Sequence, residues 1–246
     1  MLTRLLHACG LNLGPESALM PPQADNPEGF WEHLGFVAVN DELLSGLGGA
    51  WDLPPKMDEN FNDPRFNPLR MKARLLIEEF NSARVWGWKD PRNSLTLPFW
   101  LNVLPRLKTL IMVRNPLEAA HSMRQRNGTS YSFGLRLWEI YNRRVIEAVD
   151  EKDRLVTHYD AFFKDAESEL RRIARFVGLP DTEVCNAAPY AGLSRKVKPP
   201  LFGMRKILPF WTYCQRTLGN AFPTRDWKVS PSHLMAGICI QPCKGL

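Results

Sequence analysis

Apolar residues recur along this chain with two alternating periods. Phe36, Val39, Leu43, Leu44 and Leu47 fall at three- and four-residue intervals, which predicts a helix over 35–47. The same reasoning predicts helices over 66–81, 131–150 and 166–177, the last closed by Gly178. Leu2 to Cys9 reads as the end of a helix stopped by Gly10, and Ser94 or Thr96 is expected to cap a helix that runs to Leu104. Between these lie short, densely apolar runs: Arg84 to Trp88, Thr109 to Val113 and Leu155 to His158. Each reads as a buried strand. Strands separated by helices of this length imply parallel pairing and an α/β arrangement of helices packed on a sheet. The Pro-rich stretch 14–32 and the stretch 48–65 read as loops, and 201–246 shows no clear period and is assigned no fold.

The central strand carries the most chemistry. It delivers Arg114 at its C-terminal end, and Asn115-Pro116 then starts a helix: Asn is a good N-cap and Pro suits the first helical position. Glu118 falls in the first turn and Ser122 stands eight positions after Arg114. In open parallel sheets ligands bind beyond the carboxyl ends of the strands. A guanidinium there can fork onto phosphate oxygens, beside the N–H groups of a helix start. The plainer alternative is that Arg114 pairs with a nearby carboxylate and Ser122 faces solvent. Lys89 closes the strand before, in GWKDPRNSL, so it should share this edge with Arg114. Two cations on one edge repel unless an anion lies between them; otherwise Lys89 pairs with Asp90 or with a carboxylate across the cleft. A third marker, DNPEGFWEH, sets Glu28, Glu32 and His33 in a loop that Phe30 and Trp31 can pin to the core; there a carboxylate or imidazole can be tuned as a base, or the aromatics simply anchor a loop whose charges are solvated.

Composition narrows the frame. With 246 residues, 44% of them hydrophobic, the chain can bury one good core. No apolar run reaches transmembrane length, and MLTRLLHACGLNLG lacks the apolar stretch of a signal peptide. Five cysteines show no paired framework, so a reducing cytoplasmic location is expected. Cys239, Cys243 and His233 do not follow a zinc spacing, and no metal is expected. The net charge of +6 is uneven: residues 190–246 hold nine Lys or Arg against Asp226 alone. That basic, aromatic tail is suited to peripheral contact with a membrane surface or to an anionic substrate, or is simply a solvated tail, and no nucleic-acid-binding motif is present.

The markers, in this order, resemble the bacterial type of the PAPS-dependent sulfotransferase family. The likeness runs from about Leu2 to Leu179, through NPEGFWEH, VNDELL, WGWKDPRNSLTLPFW, VRNPLEAAHSMRQRNG, LWEIYNRR and LVTHYDAFFKDAESELRRIARFVGLP. The resemblance implies an α/β, P-loop-NTPase-like three-layer fold with a central parallel sheet. It divides the chain into a sulfotransferase-like domain over 1–190 and a basic C-terminal tail over 191–246. It implies transfer of a sulfuryl group from 3′-phosphoadenosine 5′-phosphosulfate (PAPS) to a hydroxyl or amine of a carbohydrate, lipid or small metabolite, without a metal. By position, Arg114 and Ser122 resemble the pair for the 3′-phosphate, and Lys89 resembles the lysine that stabilises the departing 5′-phosphate. Glu32 resembles the acceptor-side base, with Glu28 and His33 as close rivals.

The family opens with a strand and a Pro-Arg-Ser-Gly-Thr-Ser loop, whereas this sequence enters the pattern inside the first helix. A missing first strand, an exposed sheet edge and a weakened 5′-phosphosulfate site are therefore expected. The alternative function is an inactive remnant that binds adenosine 3′,5′-bisphosphate or serves as an interaction module. Arg225 to Lys228 (RDWK) only faintly resembles the basic segment with which the family closes its site.

Overall fold

Trp86–Asp90 (β1), Lys108–Val113 (β2) and Arg154–His158 (β3) are the three strands that the apolar runs predict, in a computed structural model that describes residues 1–24, 26–180, 184 and 237–241. Strands β2 and β3 pair in parallel. The segment assigned no fold supplies the fourth strand, Gly237–Gln241 (β4), which lies between β1 and β2 and runs antiparallel to both. This corrects the sequence reading: five residues of GICIQ after a stretch without period carry too short a signal, yet Ile238, Cys239 and Ile240 are all buried. Strands β1 and β2 therefore run in the same direction without touching. On its outer flank β1 is met by Asn12, which forms a single parallel bridge with Trp86. The rest of the basic tail, including RDWK and the residues considered for membrane contact, lies outside the described residues.

Seven α-helices among the described residues cover both faces. They are Leu2–Ala8 (α1), Leu34–Gly46 (α2), Asn67–Glu78 (α3), Asn93–Val103 (α4), Pro116–Asn127 (α5), Tyr131–Ala148 (α6) and Ala166–Val177 (α7). Alternation along the strands divides the core in two. Leu110, Ile238 and Ile240 pack under α1 and α7 with Leu5, Leu6, Ile173 and Val177. Trp86, Trp88, Ile111, Val113 and Cys239 face α2, α3, α4 and α6. There the Phe36 ring stacks on Trp88 at 4.2 Å, and Phe80 stacks on Trp86 at 4.5 Å. The three layers are those expected, on a sheet that is mixed rather than wholly parallel.

One helix start differs from expectation. Neither Ser94 nor Thr96 caps α4; both lie inside it, because the Asp90 carboxylate takes the Arg92 N–H at 2.9 Å and turns the chain earlier. The other boundaries follow their local signals. Asn115 accepts the Leu117 N–H at 2.9 Å, and Gly128 and Gly178 end their helices at left-handed φ. No helix among the described residues is long and apolar enough to cross a membrane.

Gly87 is the residue that admits β4. A Cβ there would lie 2.4 Å from the Cys239 carbonyl oxygen, a backbone atom that cannot step aside. Gly87→Ala should therefore cost about 1–3 kcal/mol in urea unfolding. An unchanged midpoint would mean that β4 does not pack against β1 as described.

Candidate functional site

The parallel strands β1, β2 and β3 finish at one edge of the sheet, where Lys89, Arg114 and Tyr159 emerge. Pairing sets Lys89 opposite Ile238 and Ile238 opposite Leu110. Leu110, Met112 and Arg114 then alternate onto that same face, the one that α1 covers. The two cations of the sequence reading thus rise on one face of one edge, with β4 between their strands.

Arg114 is held tightly. Its side chain is only 10% exposed, and its guanidinium lies 4.1 Å over the Tyr159 ring and 3.4 Å from Glu118 Oε2. Trp138 Nε1 donates to the Arg114 carbonyl at 3.0 Å and fixes the backbone. The guanidinium Nε is buried with no hydrogen-bond partner. Burial pulls the Arg114 pKa down to about 9, against the opposing effects of Tyr159, Glu118 and Asp160. A guanidinium keeps its charge at neutral pH, so the buried Nε is a donor that an anion's oxygen could take. Ser122 is partly buried one helical turn beyond Glu118 and on the same face of α5. Helix α5 is seated closely on α6, where Gly134 leaves no room for a Cβ against Ala120, 2.8 Å away.

Lys89 pairs with neither Asp90 nor solvent. Its Nζ forms an ion pair with Glu32, the carboxylate across the cleft, and donates to the Phe30 carbonyl at 3.4 Å. Glu32 is buried, and its second oxygen lies 4.0 Å from Arg92 Nη1. Both contacts of Lys89 depend on Trp31, which sits between Phe30 and Glu32 with φ of 59°. A left-handed residue with a Cβ costs about 1–2 kcal/mol, and here that turn aims a carbonyl and a carboxylate at one ammonium.

The other two acids and bases of this loop are placed differently. Glu28 is exposed and forms an ion pair with Arg4 of α1. His33 is the N-cap of α2: Nδ1 accepts the Gly35 N–H at 3.2 Å, while Nε2 is buried without a partner and the ring meets Phe36 and Phe80 edge-on. Burial holds the His33 pKa below its usual 6.5, and Glu79 opposes this only in part.

Residues to which the sequence reading gave no role in binding or catalysis surround the site. Asp90 is fully buried; it accepts from Asn40 Nδ2, from the Arg92 N–H and from Arg92 Nη1, each at 2.9 Å. Arg92 also lies 2.7 Å from Asp41. Asn40 spends all of its hydrogen-bonding capacity here, donating to Asp90 and Asn93 and accepting from Thr96 and Trp100. The readable signal was Asp90-Pro91-Arg92 at a strand end, where an aspartate turns its own backbone. Arg4 of α1 is joined to this edge through the loop: it pairs with Glu28, four residues before the Glu32 that pairs with Lys89. Among the described residues no three His, Cys, Asp or Glu side chains are grouped to hold a metal. Cys239 lies in β4 with its thiol pushed far up by burial, while Cys243 and His233 lie outside the described residues.

A family model for the sulfotransferase family matches residues 49–183, more than half of the chain. The chain belongs to the sulfotransferase family. No curated protein and no solved structure matches it. The matched span of this sulfotransferase-family chain contains β1 to β3 with Lys89, Arg92, Arg114 and Ser122, and leaves out the loop that carries Glu28, Glu32 and His33.

In the unfolded chain His33 takes up a proton as pH falls through 6.5, whereas the folded chain resists it. Its contribution to stability is complete above that value and is lost on acidification. His33→Asn keeps a cap for Gly35 without the titration. The unmutated chain should lose stability faster than His33→Asn between about pH 7 and pH 5 in denaturant titrations. Parallel curves would contradict the assignment.

Proposed function

We propose that the chain transfers a sulfuryl group from PAPS to a hydroxyl or amine acceptor. The observation that carries this reading is Arg114: a guanidinium buried at a strand end, with its Nε unpartnered and its charge incompletely met. Lys89 rises on the same face of the same edge as Arg114, so a polyanionic nucleotide suits the site in charge.

When bound, PAPS supplies the sulfuryl group and leaves as adenosine 3′,5′-bisphosphate. Arg114 grips the 3′-phosphate with its unpartnered face, and Ser122 adds a hydroxyl from α5. Lys89 turns from Glu32 towards the departing 5′-phosphate and meets the charge that develops there. The same turn frees Glu32 to take the proton of the acceptor. Of the three candidates for that base, Glu32 is the one joined directly to Lys89, whereas His33 is occupied as a helix cap and Glu28 pairs with α1. The loops at 14–32 and 48–65 shape the acceptor pocket, which takes a carbohydrate, a lipid or a small metabolite. Alignment of donor and acceptor supplies the remaining rate enhancement.

Adenosine 3′,5′-bisphosphate at a hundredfold excess over its Kd should stabilise the folded chain by about 2.7 kcal/mol. For a chain of this size that is a rise in Tm of roughly 5–10 °C. Arg114→Ala should abolish the rise, and no rise in the unmutated chain would overturn the donor assignment. Glu32→Gln should stop bisphosphate release from PAPS in the presence of an accepted hydroxyl or amine; turnover at the unmutated rate would remove Glu32 from the base role.

A further inference from the structure

We propose that Arg4 is a third cation of the nucleotide phosphate site, and that Glu28 and Glu32 stand in for the phosphates in the free chain. Nucleotide binding and release of the loop residues 26–31 are then a single event. This rests on the nucleotide reading of the site and deepens it.

Arg4 lies in α1, whose Leu2, Leu5 and Leu6 pack with Leu110 and Ile238 on the sheet face from which Lys89 and Arg114 rise. Its side chain is mostly buried. Its carboxylate partner, Glu28, lies four residues before Glu32, the partner of Lys89, so one loop links the two cations at the ligand edge. In the free chain each of these three cations already has a carboxylate: Arg4 has Glu28, Lys89 has Glu32 and Arg114 has Glu118. Glu118 belongs to α5 and stays with its helix. Glu28 and Glu32 both belong to the one loop, four residues apart, and each meets its cation as a phosphate oxygen would.

The same loop is fastened at its aromatic residues. Trp31 Nε1 donates to the Glu28 carbonyl at 2.8 Å, and its ring lies 5.6 Å from that of His7 on α1. The Phe30 ring lies 5.8 Å from the Arg126 guanidinium of α5. The loop therefore ties α1, β1 and α5 together across the ligand edge, with Trp31 held in its left-handed conformation at the centre. A dianion placed among Arg4, Lys89 and Arg114 would repel both loop carboxylates while taking their partners. Arg92, 4.0 Å from Glu32 and anchored by Asp90 and Asp41, then retains Glu32 near the site as Lys89 turns away.

Calorimetric titration of adenosine 3′,5′-bisphosphate into the full chain separates these ideas. Arg4→Gln should bind about tenfold more weakly, with Arg4→Lys recovering part of the loss. Glu28→Gln, which removes only the stand-in, should bind about two- to fivefold more tightly. Bisphosphate should also speed chymotryptic cleavage after Phe30 or Trp31. If the unmutated chain binds bisphosphate but Arg4→Gln and Glu28→Gln bind as it does, or if the ligand protects the loop, this inference fails and the nucleotide reading stands. If the unmutated chain binds no bisphosphate, both fail. Should Arg4→Gln not fold, tighter binding by Glu28→Gln still supports the competition, and unchanged binding overturns it.

Discussion

A positive charge buried at the end of β2 governs the rest of the site. Arg114 gives up most of its hydration, and Glu118, Asp160 and the Tyr159 ring offset only part of that loss. Such an arrangement is costly for stability alone, since a carboxylate of α5 and a tyrosine must be fixed around it. In the proposed complex the 3′-phosphate supplies a further anion to it. The backbone around it is correspondingly rigid: Asn115 caps α5, Trp138 holds the Arg114 carbonyl, and Gly134 seats α5 on α6.

Lys89 meets the same problem by a different route. Its partner, Glu32, comes from a loop and not from a helix, so the pair can part without dismantling the core. The carboxylate is steered from two sides. A left-handed Trp31 turns it inwards, and Arg92 stands behind it, fixed by a fully buried Asp90 and a fully bonded Asn40. A buried polar network of this kind specifies one geometry only when each member is satisfied. Asn40 meets that condition through Asn93, Thr96 and Trp100. The chemistry at the edge therefore depends on hydrogen bonds in the core beneath α2 and α4.

What the sequence disclosed was local. Asn115-Pro116, Gly178 and the runs ending in Lys89 and Arg114 each carry their meaning within a few residues, and those elements stand where they were expected. What it withheld were partnerships between distant positions. Glu32 meets Lys89 across 57 residues and Asn40 meets Asp90 across 50, and no period or spacing encodes either. Strand β4 was hidden for the same reason: five residues at 237–241 fill the middle of a sheet whose other strands lie between residues 86 and 158. His33 could have been read better, since a residue two places before Gly35 at a predicted helix start is a natural cap. Its neighbours Glu28 and Glu32 look equivalent in sequence and separate only when the loop is folded.

The most direct measurement is a crystal structure of the chain with adenosine 3′,5′-bisphosphate bound. The account predicts the 3′-phosphate against the Nε side of Arg114 within reach of Ser122, and Lys89 turned from Glu32 to the 5′-phosphate. A nucleotide bound elsewhere, with Arg114 still facing only Tyr159 and Glu118, would contradict it.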